Sequence, residues 1–196
     1  NTDDCLLNVV GLGARDWAHK FLAQLNEIYK LTYSENVNIF LGLQLTWAED
    51  RSWVKITVTR KIEELNADYH FDKYAPVTTP MHEKFDSKRL PKDHINYEKP
   101  FPKVHGSISF IARYRPDIAV ANTKLSHFMQ NWSEYHWEAL MRVGVYLYYT
   151  REYGLFMKRA EKWNPVNINI CTLTDATLYS DKDNGHSLVG NVTYLE

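Results

Sequence analysis

The spacing of apolar residues changes period several times along the 196-residue chain, and each change marks an expected element. Cys5–Val10 is a short apolar run that reads as a buried strand, closed by the turn Gly11-Leu12-Gly13. Trp17, Phe21, Leu25 and Ile28 then recur at helical spacing, which predicts a helix from about Ala14 to Lys30. Ile39, Leu41, Leu43, Leu45 and Trp47 share one face of a predicted strand, and Val54, Ile56 and Val58 share one face of another. The polar residues Glu49-Asp50-Arg51-Ser52 lie between them, so the pair reads as a β-hairpin. A short helix is expected around Lys61–Tyr69.

The stretch from Phe71 to Lys103 breaks this regularity. It holds Pro76, Pro80, Pro91, Pro100 and Pro102 among mixed charges, a density that prevents a continuous helix or central strand. Loops of this length are usually functional or mobile, and the main boundary is placed here. Helical spacing returns from about Lys103 to Arg151. Pro116 suits the first turn of a helix, and Ile118, Ala121, Asn122, Leu125, Phe128 and Met129 follow it. Trp137, Leu140, Met141, Gly144 and Tyr148 repeat the pattern, with Gly144 costing roughly 1 kcal/mol against alanine. Beyond Lys162-Trp163-Asn164-Pro165, the alternation of Val166, Ile168 and Ile170 with Asn167 and Asn169 predicts a strand over Val166–Leu173. Tyr179–Gly185 is a polar loop, and Leu188, Val192 and Tyr194 fit a second strand. The order βα, ββ, helical middle and final β-hairpin describes an α+β protein.

Composition narrows the class. The chain is 44% apolar and 14% aromatic, enough to bury a real core. A net charge of −1 argues against a wholly basic nucleic-acid coat but leaves room for a local basic groove. No apolar run reaches membrane-spanning length, and no secretory leader is read. Cys5 and Cys171 are far apart and fit two reduced thiols, so an intracellular protein, cytoplasmic or nuclear, is expected. The start at Asn1 rather than Met suggests a fragment or a processed product.

Several chemistries are set aside. Val9-Val10-Gly11-Leu12-Gly13 resembles the start of a dinucleotide fold, but Asp16 stands where the third glycine would fall and would oppose a pyrophosphate. His127 and His136 read as surface or helix-end residues, with no H-E-x-x-H present. No G-x-S-x-G motif occurs. Tyr146-Leu147-Tyr148-Tyr149 can stack bases or pack in a core, and the spacing favours packing for Tyr148. Lys84, Lys88, Arg89, Lys92, Lys99 and Lys103 alternate with acidic residues, so a solvated mixed-charge loop is preferred there.

The carboxylates carry the remaining chemistry. Asp3-Asp4 precedes the first apolar run, where adjacent charges are costly to bury without a cation. Mg²⁺ takes such oxygens together with phosphates, but on local grounds alone a solvated turn is the preferred reading of the pair. Asp175 follows the strand Val166–Leu173, a position that turn-forming aspartates also favour.

Taken together, the motifs resemble a known family. Arg115-Pro116-Asp117-Ile118, then Leu125-Ser126 with Phe128-Met129, then His136-Trp137 with Ala139, Arg142 and Val143, then Tyr146-Leu147, then Thr150 with Tyr153-Gly154-Leu155 are similar to the polymerase polyprotein of copia-type LTR retrotransposons. There the stretch lies between the reverse transcriptase palm and RNase H. Phe40-Leu41-Gly42-Leu43 matches a family strand, and Asn1-Thr2-Asp3-Asp4 sits where the palm's tyrosine-x-Asp-Asp motif belongs, with Asn1 replacing the aromatic.

The resemblance implies catalytic and metal-binding roles for Asp3, Asp4 and Asp175, with Mg²⁺ as cofactor. It implies the C-terminal part of a palm over 1–71, a Pro-rich linker over 72–103, a helical thumb and connection over 104–162, and a truncated RNase H-like start over 163–196. The implied parent is an RNA-directed DNA polymerase with RNase H activity, acting on an RNA–DNA hybrid or primer–template. The upstream palm aspartate, the fingers and the later RNase H carboxylates lie outside this chain. The fragment is therefore expected to be inactive alone and at most to hold a primer–template. The alternative is a retroelement-derived, non-catalytic binding or scaffold protein.

Overall fold

Four antiparallel strands and a group of helices share a single core in the computed structural model, which describes residues 5–7, 9, 11–35, 37–85, 98–158, 170–177 and 188–195. The helices are α1 (Ala14–Ile28), α2 (Thr59–Tyr69), α3 (Phe101–Ala112), α4 (Ala119–Ser126) and α5 (Glu134–Tyr149). The first sheet has the order β1 (Ile39–Phe40), β2 (Leu43–Trp47), β3 (Trp53–Thr57) and β4 (Leu155–Lys158). A second, two-stranded sheet joins β5 (Ile170–Thr177) to β6 (Leu188–Leu195). The mixed α+β class read from the sequence holds.

The expected hairpin is present, with Trp47 opposite Val54 and Leu45 opposite Ile56. The run Ile39–Trp47, read as one strand, is instead two strands joined by a tight turn. Leu41 and Gly42 both have positive φ, 50° and 80°, so the chain reverses between the paired residues Phe40 and Leu43. Two central residues of positive φ match the twist of a hairpin. Glycine adopts this conformation freely; leucine does so at a cost.

β4 escaped the sequence reading. Its four residues follow Gly154 and pair with β3, Ile56 opposite Leu155 and Trp53 opposite Lys158. Gly154 explains why the chain can dock there. A Cβ on it would overlap the Ile56 carbonyl and stand 2.9 Å from Thr57 Cγ2.

The core is built from residues on both sides of the Pro-rich stretch. Leu43 of β2, Ile62 and Leu65 of α2, and Phe71 meet Phe101, Val104 and Ile108 of α3 and Leu140 and Leu147 of α5. Pro102 falls in the first turn of α3, where its missing N–H costs nothing. Pro116 opens a 3₁₀ turn, Pro116–Ile118, that feeds α4. Trp137 is buried, as its helical spacing requires, and Tyr148 packs against the core.

The N-terminal expectations divide. The helix forms almost as read, yet none of its residues is buried. Trp17 is 55% exposed, although its ring stacks on Phe21 at 5.1 Å. The strand expected over Cys5–Val10 does not form at Cys5, Leu6, Leu7 or Val9, and Leu6 and Leu7 are exposed. A strand needs a neighbour for its backbone groups, and no described residue pairs with this one. In β5, Ile170–Leu173 are strand as expected, while 166–169 lie outside the described residues.

Candidate functional site

Asp3 and Asp4 lie outside the described residues. Asp175 is described and exposed. It sits within β5 rather than beyond its end, opposite Gly190, with Thr174 opposite Asn191. A glycine offers no ligand, and among the described residues no group of three His, Cys, Asp or Glu could hold a metal ion. One carboxylate does not make up the oxygen set that Mg²⁺ requires, so Asp175 alone does not form a cation site.

The motif residues converge elsewhere. Arg115 is 1% exposed, and its guanidinium grips Asp117 with two bonds: Nε donates to Oδ1 at 2.9 Å and Nη2 to Oδ2 at 2.7 Å. Nη1 donates to the Thr150 carbonyl at 2.9 Å and Nη2 also to Thr150 Oγ1 at 2.7 Å. The Tyr146 hydroxyl donates to Asp117 Oδ2 at 2.9 Å, and the guanidinium lies over the rings of Tyr146 and Tyr153. Burial alone would raise the Asp117 carboxyl, but Arg115 and the Tyr146 hydroxyl outweigh it and hold it below its usual range. Burial and the neighbouring carboxylate push the Tyr146 hydroxyl up. A planar fork matched to a carboxylate is specific to arginine. The cluster ties the turn before α4 to the C-terminal end of α5. Every polar arm of Arg115 is spent within the protein, so its role is to fix the helices.

Of the two places expected for His136, surface or helix end, the structure gives the helix end, and the side chain is fully buried. It stands at the third position of α5 and completes a capping box with Ser133, whose backbone N–H donates to Nδ1 at 3.0 Å. Its ring stacks on Phe128 with centroids 3.8 Å apart. Burial lowers its pKa to about 4, so the imidazole is neutral near pH 7. Its Nε2 has no hydrogen-bond partner among the described residues. His105 bridges α3 to α4: Nε2 lies 3.1 Å from the Asn122 carbonyl and Ser109 Oγ lies 3.3 Å from Nδ1.

Two surface features stand out among the described residues. A groove of about 350 Å³ runs between α2 and α3, bordered by Lys61, Glu64, Asp68, Tyr69, Lys103 and Ser107. Lys61 pairs with Glu64 at 3.1 Å. The second feature is the β1–β2 turn, where Leu41 is exposed in a left-handed conformation. Such strain persists only where the surroundings enforce it and often marks a working surface. Leu41 escaped notice as a special position because its place in the alternating run disguised the turn; Gly42 was the available signal.

The tyrosine run makes contacts within the protein. Tyr146 belongs to the arginine cluster, and the Tyr149 hydroxyl donates to the Tyr74 carbonyl at 2.9 Å. Of the lysines considered as a strip, Lys99 lies near Glu134 at 3.8 Å and over the Trp137 ring. Lys84 and Lys103 are exposed, and the others lie outside the described residues.

Comparison with known proteins places these motifs. Over 177 residues, 90% of this chain, the sequence is 28% identical to a retrovirus-related Pol polyprotein from transposon RE1 of Arabidopsis thaliana. The chain is related to copia-type retrotransposon Pol polyproteins. A second Arabidopsis thaliana relative, the retrovirus-related Pol polyprotein from transposon RE2, is 28% identical over 89% of the chain. A putative transposon Ty5-1 protein of Saccharomyces cerevisiae is 24% identical over 88%. The chain spans 12% of the length of each Arabidopsis Pol polyprotein and 54% of the yeast protein. No family model matches, and no solved structure gives a significant match. The motif that suggested the copia-type relationship, Arg115-Pro116-Asp117-Ile118, is thus chiefly a structural lock.

Proposed function

We propose that this chain is the part of a retrotransposon reverse transcriptase that links palm to RNase H, and that it holds a primer–template or RNA–DNA hybrid without catalysing reactions alone. The observation that carries this reading is the collinear match to Pol polyproteins over nine-tenths of the chain. In this reading α1, β1–β3 and α2 are the C-terminal part of the palm, α3–α5 the thumb and connection, and β5–β6 the opening hairpin of an RNase H-like domain. The exposed hairpin fits that assignment, since two strands alone are marginal and gain stability from a larger sheet.

The groove between α2 and α3 is the proposed contact for the hybrid backbone. Lys61 and Lys103 would face phosphates, with Tyr69 and Ser107 beside them; Glu64, which pairs with Lys61, and Asp68 border the same groove, so a phosphate there competes with both carboxylates. Phosphate contacts of this kind position a nucleic acid without reading its sequence. Asp3, Asp4 and Asp175 are proposed metal carboxylates of the longer parent, where Mg²⁺ would supply charge neutralisation at the reacting phosphate.

Competition binding tests the reading. A labelled RNA–DNA hybrid should be retained by the folded protein and displaced more readily by unlabelled hybrid than by duplex DNA. A folded sample that retains no hybrid overturns it.

A further inference from the structure

We propose that the outward face of β3 and β4 is a separate binding site for single-stranded nucleic acid. Strand register assembles it. Trp53 stands opposite Lys158 and Lys55 opposite Phe156, so the four residues form a two-by-two patch on one face. The residues between them, with Leu43 and Leu45 of β2, belong to the other face; Leu43 and Leu45 are buried and Ile56 packs on the core. The patch therefore looks away from the core.

An antiparallel sheet with one wet face normally places polar residues there. Here the rings of Trp53 and Phe156 stack across that face, with centroids 5.1 Å apart and planes at 29°, and Phe156 is 58% exposed. On the other diagonal, Lys55 and Lys158 form no ion pair among the described residues. Aromatic rings interleaved with unpaired cations fit one ligand chemistry well. Bases stack on the rings whatever their identity, while the ammonium groups meet the intervening phosphates. A duplex hides its base faces in its own stack and cannot use the rings in this way. The β2–β3 turn carries Glu49 and Asp50 beside Arg51, a net negative charge at the Trp53 end of the patch. The site rests on the proposed function only in taking nucleic acid as the natural ligand; its residues are distinct from the α2–α3 groove.

The test measures anisotropy of a fluorescein-labelled oligothymidylate with the full chain, alongside hybrid binding. The intact protein should bind the oligonucleotide at low salt. Phe156→Ser should weaken that binding about tenfold, with Phe156→Tyr restoring it and hybrid binding unchanged in both. The pair Lys55→Gln and Lys158→Gln should flatten the salt dependence by a slope of about 1.4, read on samples whose melting temperature matches the intact protein. Hybrid binding without oligothymidylate binding would overturn this site and leave the proposed function standing. A dimer that Phe156→Ser dissolves would also overturn it, since a second copy would then cover the patch.

Discussion

The ring of Phe71 fills the space that a side chain on Gly144 would need. A Cβ on Gly144 would stand 2.9 Å from Phe71 Cε2 and closer still to Cε1 and Cζ. Phe71 is fully buried, so its ring has no free path of retreat. The glycine costs its helix roughly 1 kcal/mol in propensity, and the seat for Phe71 offsets that cost. Gly144→Ala should therefore destabilise the fold by about 1–3 kcal/mol through overpacking, despite better helix propensity. Urea unfolding checks this; a gain in stability would show that the contact is not tight.

Arg115→Lys should cost about 1.5–3 kcal/mol although the charge is kept. Lysine cannot span both Asp117 oxygens and Thr150 together. Thermal unfolding of the variant measures the loss, and a wild-type melting temperature would contradict the lock.

Acid should weaken the protein through His136. Its folded pKa, about 4, lies below the ordinary 6.5. Above pH 6.5 both folded and unfolded states hold the ring neutral, so it exerts no pH effect. As pH falls from 6.5 toward 4, the unfolded state takes up the proton first, and about 3 kcal/mol of stability is lost. Asp117 acts lower still, its stabilisation fading below its usual value of 3.8. His136→Gln keeps a capping-box residue at that position and removes the titration. Its stability should be nearly flat over the same window; an unchanged slope would assign the acid effect to other groups.

Much of this architecture was legible in the sequence because period reports burial. The strands of the hairpin β2–β3, the helices α4 and α5 and the buried Trp137 follow from spacing. What spacing could not reveal was tertiary in origin. β4 is only four residues long and exists because Gly154 lets it lie against Ile56. The turn at Leu41-Gly42 was masked by an alternating apolar run. His136 was read as a surface or helix-end residue; its place at the start of α5 was legible, but nothing local foretells the Phe128 ring stacked on it. The helix α1 shows the opposite limit: its amphipathic spacing was correct, yet its apolar face finds no cover among the described residues. For the site, the motif residues were found, but Arg115 and Asp117 proved to be partners of each other.

Neither primer extension nor hybrid-specific RNA cleavage should be detectable with this 196-residue polypeptide in Mg²⁺ or Mn²⁺. Template-dependent extension abolished by Asp4→Asn, or cleavage abolished by Asp175→Asn, would contradict the proposed inactivity and assign those carboxylates directly.

The most direct measurement for the central claim is the affinity for an RNA–DNA hybrid across a salt series. Binding should weaken steeply as salt rises, by a slope near 0.9 for each phosphate neutralised on a duplex-like ligand, and Lys61→Gln with Lys103→Gln should reduce that slope. No binding by a folded sample, or binding indifferent to salt and to both lysines, would contradict the assignment of this chain to the hybrid-holding part of a reverse transcriptase.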